Sequence, residues 1–159
     1  TGASGNAGEF GHIIIENNGR KCHCGNHGCW ETMASTDYII NRFQQSTGIE
    51  INNIKEITRF LGNNEYKELT QIIQDTASHI GLGLVNIINS LSPELLIIGG
   101  DIILFKDYIK EKIKEIIKKR ALEISYNQLD LKFSKLNDLA VVYGLASKVF
   151  DKSISLIKQ

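Results

Sequence analysis

The sequence predicts an α/β layer structure with a largely parallel central sheet. Two observations carry that prediction. Short β-branched or continuously apolar runs are separated by long segments whose apolar residues recur at helical spacing. Breakers also stand at the joints, with Pro93 ahead of Leu95-Leu96-Ile97-Ile98 and Gly99-Gly100 behind it. At 159 residues, 42% hydrophobic and 23% charged, the chain has the size and composition of one domain over residues 1–159.

The elements follow in order. Thr1 to Ala7 reads as a glycine-rich loop with no strand or helix before it, as expected of a cut end and a piece of a longer protein. His12 to Glu16 is a β-branched run closed by Asn17-Asn18-Gly19 and predicts a short strand. A first helix is expected from Glu31 to about Gln45, on Met33, Ala34, Tyr38, Ile40 and Phe43, with Gly48 just beyond. Asn53 and Glu56 have the form of a capping box, and Gly62 closes the short helix that carries Ile54, Ile57 and Leu61.

From about Glu65 to Ser90, Leu69, Ile72, Ile73, Ala77, Ile80, Leu84, Ile87 and Ile88 sustain the 3.6-residue rhythm of a long buried helix. Within it, Gly81 and Gly83 suit close packing; they follow helix rather than strand and lack a third glycine, unlike a nucleotide loop. Leu95 to Ile98 reads as a strand covered on both faces. An amphipathic helix from about Phe105 to Leu122 groups Tyr108, Ile109, Ile113, Ile116 and Ile117 against a solvated face of lysines and glutamates. Leu129, Leu131 and Phe133 alternate with polar residues, as in a half-exposed edge strand. A last helix from about Leu139 into the Ser153–Ile157 region has an expected buried stripe of Val142, Leu145, Ala146, Val149 and Phe150.

Eighteen basic residues balance eighteen acidic ones, so this piece offers no positive field for phosphate backbones or an anionic membrane surface. No stretch approaches the roughly 20 apolar residues of a membrane span, and no basic and then apolar leader opens the chain. The expected setting is cytoplasmic, without a membrane partner.

All three cysteines lie in Cys22-His23-Cys24-Gly25-Asn26-His27-Gly28-Cys29. Three thiols this close in a reducing compartment suit a soft cation better than a disulfide, and an odd count would leave one unpaired. Structural zinc takes four N or S ligands, so a fourth donor is needed. Among His12, His23 and His27 the choice falls on His12. His23 would need three consecutive side chains aimed at one ion, whereas the Asn17–Lys21 turn can bring His12 back to the cysteines. With four protein ligands the ion is structural, because no open position remains for hydrolysis. Taken alone, Glu9 and Glu31 read as an N-cap or surface carboxylates.

Gly8-Glu9-Phe10-Gly11-His12, then Gly19, the cysteine segment running into Trp30-Glu31, and Ser35 together resemble the signature of the ROK family of repressors and sugar kinases. Ser92 to Gly100 and Val142-Tyr143-Gly144-Leu145-Ala146 are similar to that family's strand with glycine turn and its final helix. The resemblance implies the C-terminal lobe of an actin-like ATPase (ribonuclease H-like) fold, with the N-terminal lobe outside this chain. It implies zinc on His12, Cys22, Cys24 and Cys29, and a sugar faced by Glu9, His12 and Glu31. It further implies a homo-oligomer, dimer or tetramer, that reaches DNA only through an N-terminal helix-turn-helix domain.

The resemblance leaves two functions to weigh: the sugar-sensing lobe of a transcriptional regulator, or half of an ATP-dependent sugar kinase. The family's catalytic Asp and first phosphate loop belong to the other lobe, so no catalytic residue is assigned here. Kinases of the family usually place a third glycine where this chain has Asp101 after Gly99-Gly100, a remnant of the nucleotide site. A carboxylate beside a triphosphate costs about 1 kcal/mol per charge pair in water and about four times that at an effective dielectric near 20. With the Gly-Cys-Trp-Glu wording of the cysteine loop, Asp101 favours the regulator.

Overall fold

The computed structural model describes residues 2–136 and 139–157. The expected α/β class holds in a helix-rich form. In chain order the elements are α1 (Glu31–Ala34), α2 (Thr36–Thr47), α3 (Ile54–Ile57), α4 (Lys67–Leu91), β1 (Leu95–Ile98), α5 (Lys106–Arg120), α6 (Glu123–Gln128), β2 (Asp130–Phe133) and α7 (Leu139–Ile157), with short 3-10 turns between some of them.

The sheet among the described residues is two parallel strands, Leu95 opposite Asp130 through to Ile98 opposite Phe133. Asp130 N–H to the Glu94 carbonyl (2.8 Å) and Ser134 N–H to the Ile98 carbonyl (2.8 Å) extend the ladder by one bond at each end. The half-exposed β2 expected from its alternation is present.

Helix α4 is the spine. Its buried Leu69, Ile72, Ile73, Ala77, Ile80, Leu84, Val85 and Ile88 meet Ile39 and Phe43 of α2, and Ile109, Ile113 and Ile117 of α5, in one apolar core that includes Phe105 and Ile98. Close approach explains the two mid-helix glycines. A Cβ on Gly81 would fall 2.8 Å from Ile116 Cβ, and one on Gly83 would fall 2.0 Å from the Trp30 ring. Gly83 thus makes room for an indole rather than a helix. The C-terminal end of α4 is tied to α6 by the Asn89 side-chain oxygen accepting from Leu122 N–H (2.9 Å) and by Ser92 with Ser125 (3.0 Å).

Four expectations are corrected. His12–Glu16 is not a strand: Phe10–His12 winds as a 3-10 turn, and Ile14 alone makes an antiparallel bridge, to Cys29. The first helix is broken at Ser35, whose extended backbone ends α1 and whose hydroxyl caps α2 by accepting from Tyr38 N–H (3.3 Å). Strand β1 is covered on one face only, with Ile98 buried and Leu95 and Ile97 exposed, because α4 and α5 lie on one side of the pair. The stripe on α7 is not buried: Val142, Leu145, Val149 and Phe150 are all exposed, for they meet no core surface among the described residues. Helix α6 was not anticipated.

Candidate metal centre

The site begins with two tight turns that face each other. In the first, His12 N–H bonds the Glu9 carbonyl (3.1 Å) and Ile13 N–H bonds that of Phe10 (3.1 Å), so Glu9 and His12 stand one 3-10 turn apart. In the second, Cys22 N–H bonds the Asn26 carbonyl (2.8 Å), Gly25 N–H bonds that of Cys22 (3.1 Å), and Gly28 N–H reaches the Arg20 carbonyl (2.8 Å). The turns are stitched by Ile15 N–H to the Gly28 carbonyl (3.0 Å) and Trp30 N–H to that of Ile13 (2.8 Å). Gly28 is required here, since its φ is +74° and a Cβ would fall 1.8 Å from the Glu16 carbonyl oxygen.

This stitching brings His12, Cys22, Cys24 and Cys29 together, with one ligand atom from each lying within 4.8 Å of all the others. Cys24 Sγ is 3.6 Å from Cys29 Sγ, and Cys22 Sγ is 3.6 Å from His12 Nδ1. Cys22 and Cys29 are buried, and Cys24 is exposed. Three thiols and an imidazole at one point form a donor set of the kind that holds zinc. Nδ1 is the His12 ring nitrogen that stands beside Cys22 Sγ.

The thiols differ in acidity for local reasons. A hydrogen bond from Cys22 Sγ to Glu31 Oε1 (3.0 Å) keeps the Cys22 proton on sulfur and pushes its pKa up to about 12. The Asn26 backbone amide lowers the pKa of Cys24, and desolvation raises that of Cys29.

Glu31 opens α1 directly beside the cluster, with Oε1 2.9 Å from His23 Nδ1 and 3.7 Å from His12 Nδ1. It lines a cavity of about 380 Å³ with Arg20, Lys21, Cys22, His23 and Asn41 among others. Glu9 is exposed, its side chain makes no capping bond to the turn it precedes, and it does not line that cavity. Gly99, Gly100 and Asp101 stand exposed at the C-terminal end of β1 and also lie outside it.

Sequence reasoning missed two residues that organise the site. Trp30 pins the loop to α4: its Nε1–H donates to the His79 carbonyl (2.8 Å) while its ring fills the space left by Gly83. The signal was there in a lone tryptophan next to a cysteine and a small residue on the long helix. His23 was weighed only as a ligand, and its contact with Glu31 had no signature in the spacing.

Comparison with known proteins identifies the family and the fold. A family model described as the ROK family matches residues 1–152. A xylose repressor of Caldicellulosiruptor bescii is 33% identical over 165 residues, which cover 97% of this chain and 41% of that protein. The chain thus spans about two-fifths of the length of that curated relative. A solved ROK family transcriptional regulator, described as a homologue of the Escherichia coli MLC protein, superposes with a TM-score of 0.68 at 28% identity, over 78% of this chain and 33% of that one. A ROK hexokinase from Thermus thermophilus superposes with a TM-score of 0.71 at 19% identity, over 87% and 46%, a likeness of fold alone.

Proposed function

The chain belongs to the ROK family, and from that premise we propose that it is the sugar-sensing and oligomerising C-terminal lobe of a transcriptional repressor of carbohydrate metabolism. One zinc ion sits on His12, Cys22, Cys24 and Cys29, and Glu9, His12 and Glu31 receive the sugar. The observation that carries this reading is the adjacency of the two halves of the site, since Cys22 of the metal cluster and Glu31 of the cavity wall are 3.0 Å apart.

The chemistry is that of polyol recognition. Sugar hydroxyls both donate and accept; a carboxylate such as Glu31 can accept from two of them, and an imidazole held at Nδ1 can present Nε2–H. Zinc supplies rigidity to a loop that has little apolar core of its own, so the contacts need little ordering when sugar arrives. The identity of the effector is set by the same hydroxyl pattern. The name of the Caldicellulosiruptor relative makes xylose the first sugar to try.

Asp101 and the relatives' names support the repressor over the kinase reading, which rests on fold. The test uses the full-length protein. ADP release is followed across pentoses and hexoses, alongside sugar-dependent binding to DNA upstream of carbohydrate operons. Sugar-responsive DNA binding without ATP turnover is the expected pair of results. Sustained sugar-dependent ATP turnover with no DNA binding would replace this reading with that of a sugar kinase.

A further inference from the structure

We propose that His23 is a positioning residue: its Nδ1–H holds the Glu31 carboxylate in the orientation in which that carboxylate meets sugar. The inference rests on the sugar-binding reading of Glu31 and adds a residue to it.

Three polar atoms surround Glu31 Oε1: His23 Nδ1 at 2.9 Å, Cys22 Sγ at 3.0 Å and His12 Nδ1 at 3.7 Å. Two of these atoms come from Cys22 and His12 of the cluster assigned to zinc, while His12, His23 and Glu31 form a second group close enough to hold a cation. A thiolate bound to a metal has no proton to give, and an imidazole nitrogen that ligates has used its lone pair and carries no hydrogen. In the metal-loaded protein, His23 is therefore the one member of the three still able to donate.

The rest of the local geometry suits that role. The other carboxylate oxygen, Oε2, lies over Gly11, where an added Cβ would approach within 3.3 Å of it. One oxygen thus lies beside Gly11, where only a residue without a side chain leaves it this room, and the other is held by His23. His23 is itself steadied, although its side chain is 75% exposed, by an edge-on contact with the His12 ring at 5.1 Å and 71°. Its backbone lies between Cys22 and Cys24, so the metal that fixes the loop also fixes the donor. A neutral imidazole can donate from Nδ1 only as the Nδ1–H tautomer. The proposal therefore assigns that tautomer to His23.

Two measurements on the zinc-loaded full-length protein test it. The first is nitrogen-15 NMR of the histidine rings in mildly alkaline buffer, which distinguishes the tautomers without any sugar. The expected result is His23 in the Nδ1–H form, with that signal moved by Glu31→Gln. An Nε2–H form indifferent to Glu31→Gln would overturn the proposal. The second is calorimetry with xylose, or with whichever pentose or hexose of the panel binds. His23→Ala should weaken binding by about tenfold, as expected for one hydrogen bond to a charged group, at unchanged zinc content. His23→Asn, whose Nδ2 stands the same number of bonds from Cβ as Nδ1, should recover most of it. Loss of affinity in Glu31→Gln with wild-type affinity in His23→Ala would overturn the role of His23 and leave the sugar site standing. Wild-type affinity in Glu31→Gln would remove the sugar reading itself, and the proposal with it.

Discussion

The loop from His12 to Glu31 and the layer built on α4 and α5 are held together by different physics. The core of the α4–α5 layer is apolar: Ile73, Ile88, Phe105, Ile109 and Ile113 are all fully buried, and their contacts are alike in kind. In the loop, Cys22 and Cys29 are the buried apolar residues, and the remaining order comes from backbone bonds between two turns and from Trp30. A segment with so little apolar burial is expected at the low end of local stability unless another bond holds it. The metal cluster is that bond in our account. The lesson is that core and site are separable, so each can be perturbed while the other is watched.

The largest effect should come from the core. Phe105→Ala empties a fully buried position and should cost about 3–5 kcal/mol of global stability, read by denaturant unfolding, while zinc stoichiometry of the folded fraction stays unchanged. A matching loss of metal would mean that the two regions are one cooperative unit.

Gly83→Ala attacks the joint between them. The added methyl collides with the Trp30 ring, so the indole must move and its bond to the His79 carbonyl must weaken. About 1–3 kcal/mol is expected. Trp30 is the sole tryptophan, so its fluorescence reports the displacement directly. An unshifted emission spectrum would show that the loop is not anchored there.

The smallest effect touches rates alone. In metal-free protein, Cys24 is exposed and its pKa is lowered, Cys22 is buried and pushed up to about 12 by Glu31, and Cys29 is buried and raised. A lowered pKa means that the reactive thiolate forms first as pH rises. Alkylation followed by mass spectrometry should therefore mark Cys24 ahead of the other two at neutral pH, with the lead narrowing at alkaline pH as Cys24 becomes fully ionised and the other thiols begin to ionise. Equal labelling would contradict the local electrostatics described here.

The same division governs how much could be read from the sequence. The helices of the core were legible because Leu69 to Ile88, and Ile109 to Ile117, repeat at 3.6 residues for many turns. The cysteine cluster was legible because three cysteines in eight residues is a local pattern. What failed was information that is not local. Periodicity says which face of α7 or β1 is apolar, as at Val142 or Ile97, but not whether a surface lies opposite it. The break at Ser35 turned on a single capping hydroxyl inside an otherwise helical pattern, and it moved burial on α2 to Ile39. His23 was judged only as a metal ligand and lies instead against Glu31, since a spacing argument cannot see a side chain turn toward that carboxylate.

The central claim is that a metal, not an apolar core, fixes the loop on which the sugar site is built. Its most direct test is elemental analysis of protein purified without added metal, joined to hydrogen exchange before and after chelation. The account predicts one equivalent of zinc per chain, abolished by Cys24→Ser. On chelation, amides from Cys22 to Trp30 should lose protection while those of α4 and α5 keep theirs. Metal-free protein with residues 22–30 fully protected would contradict it.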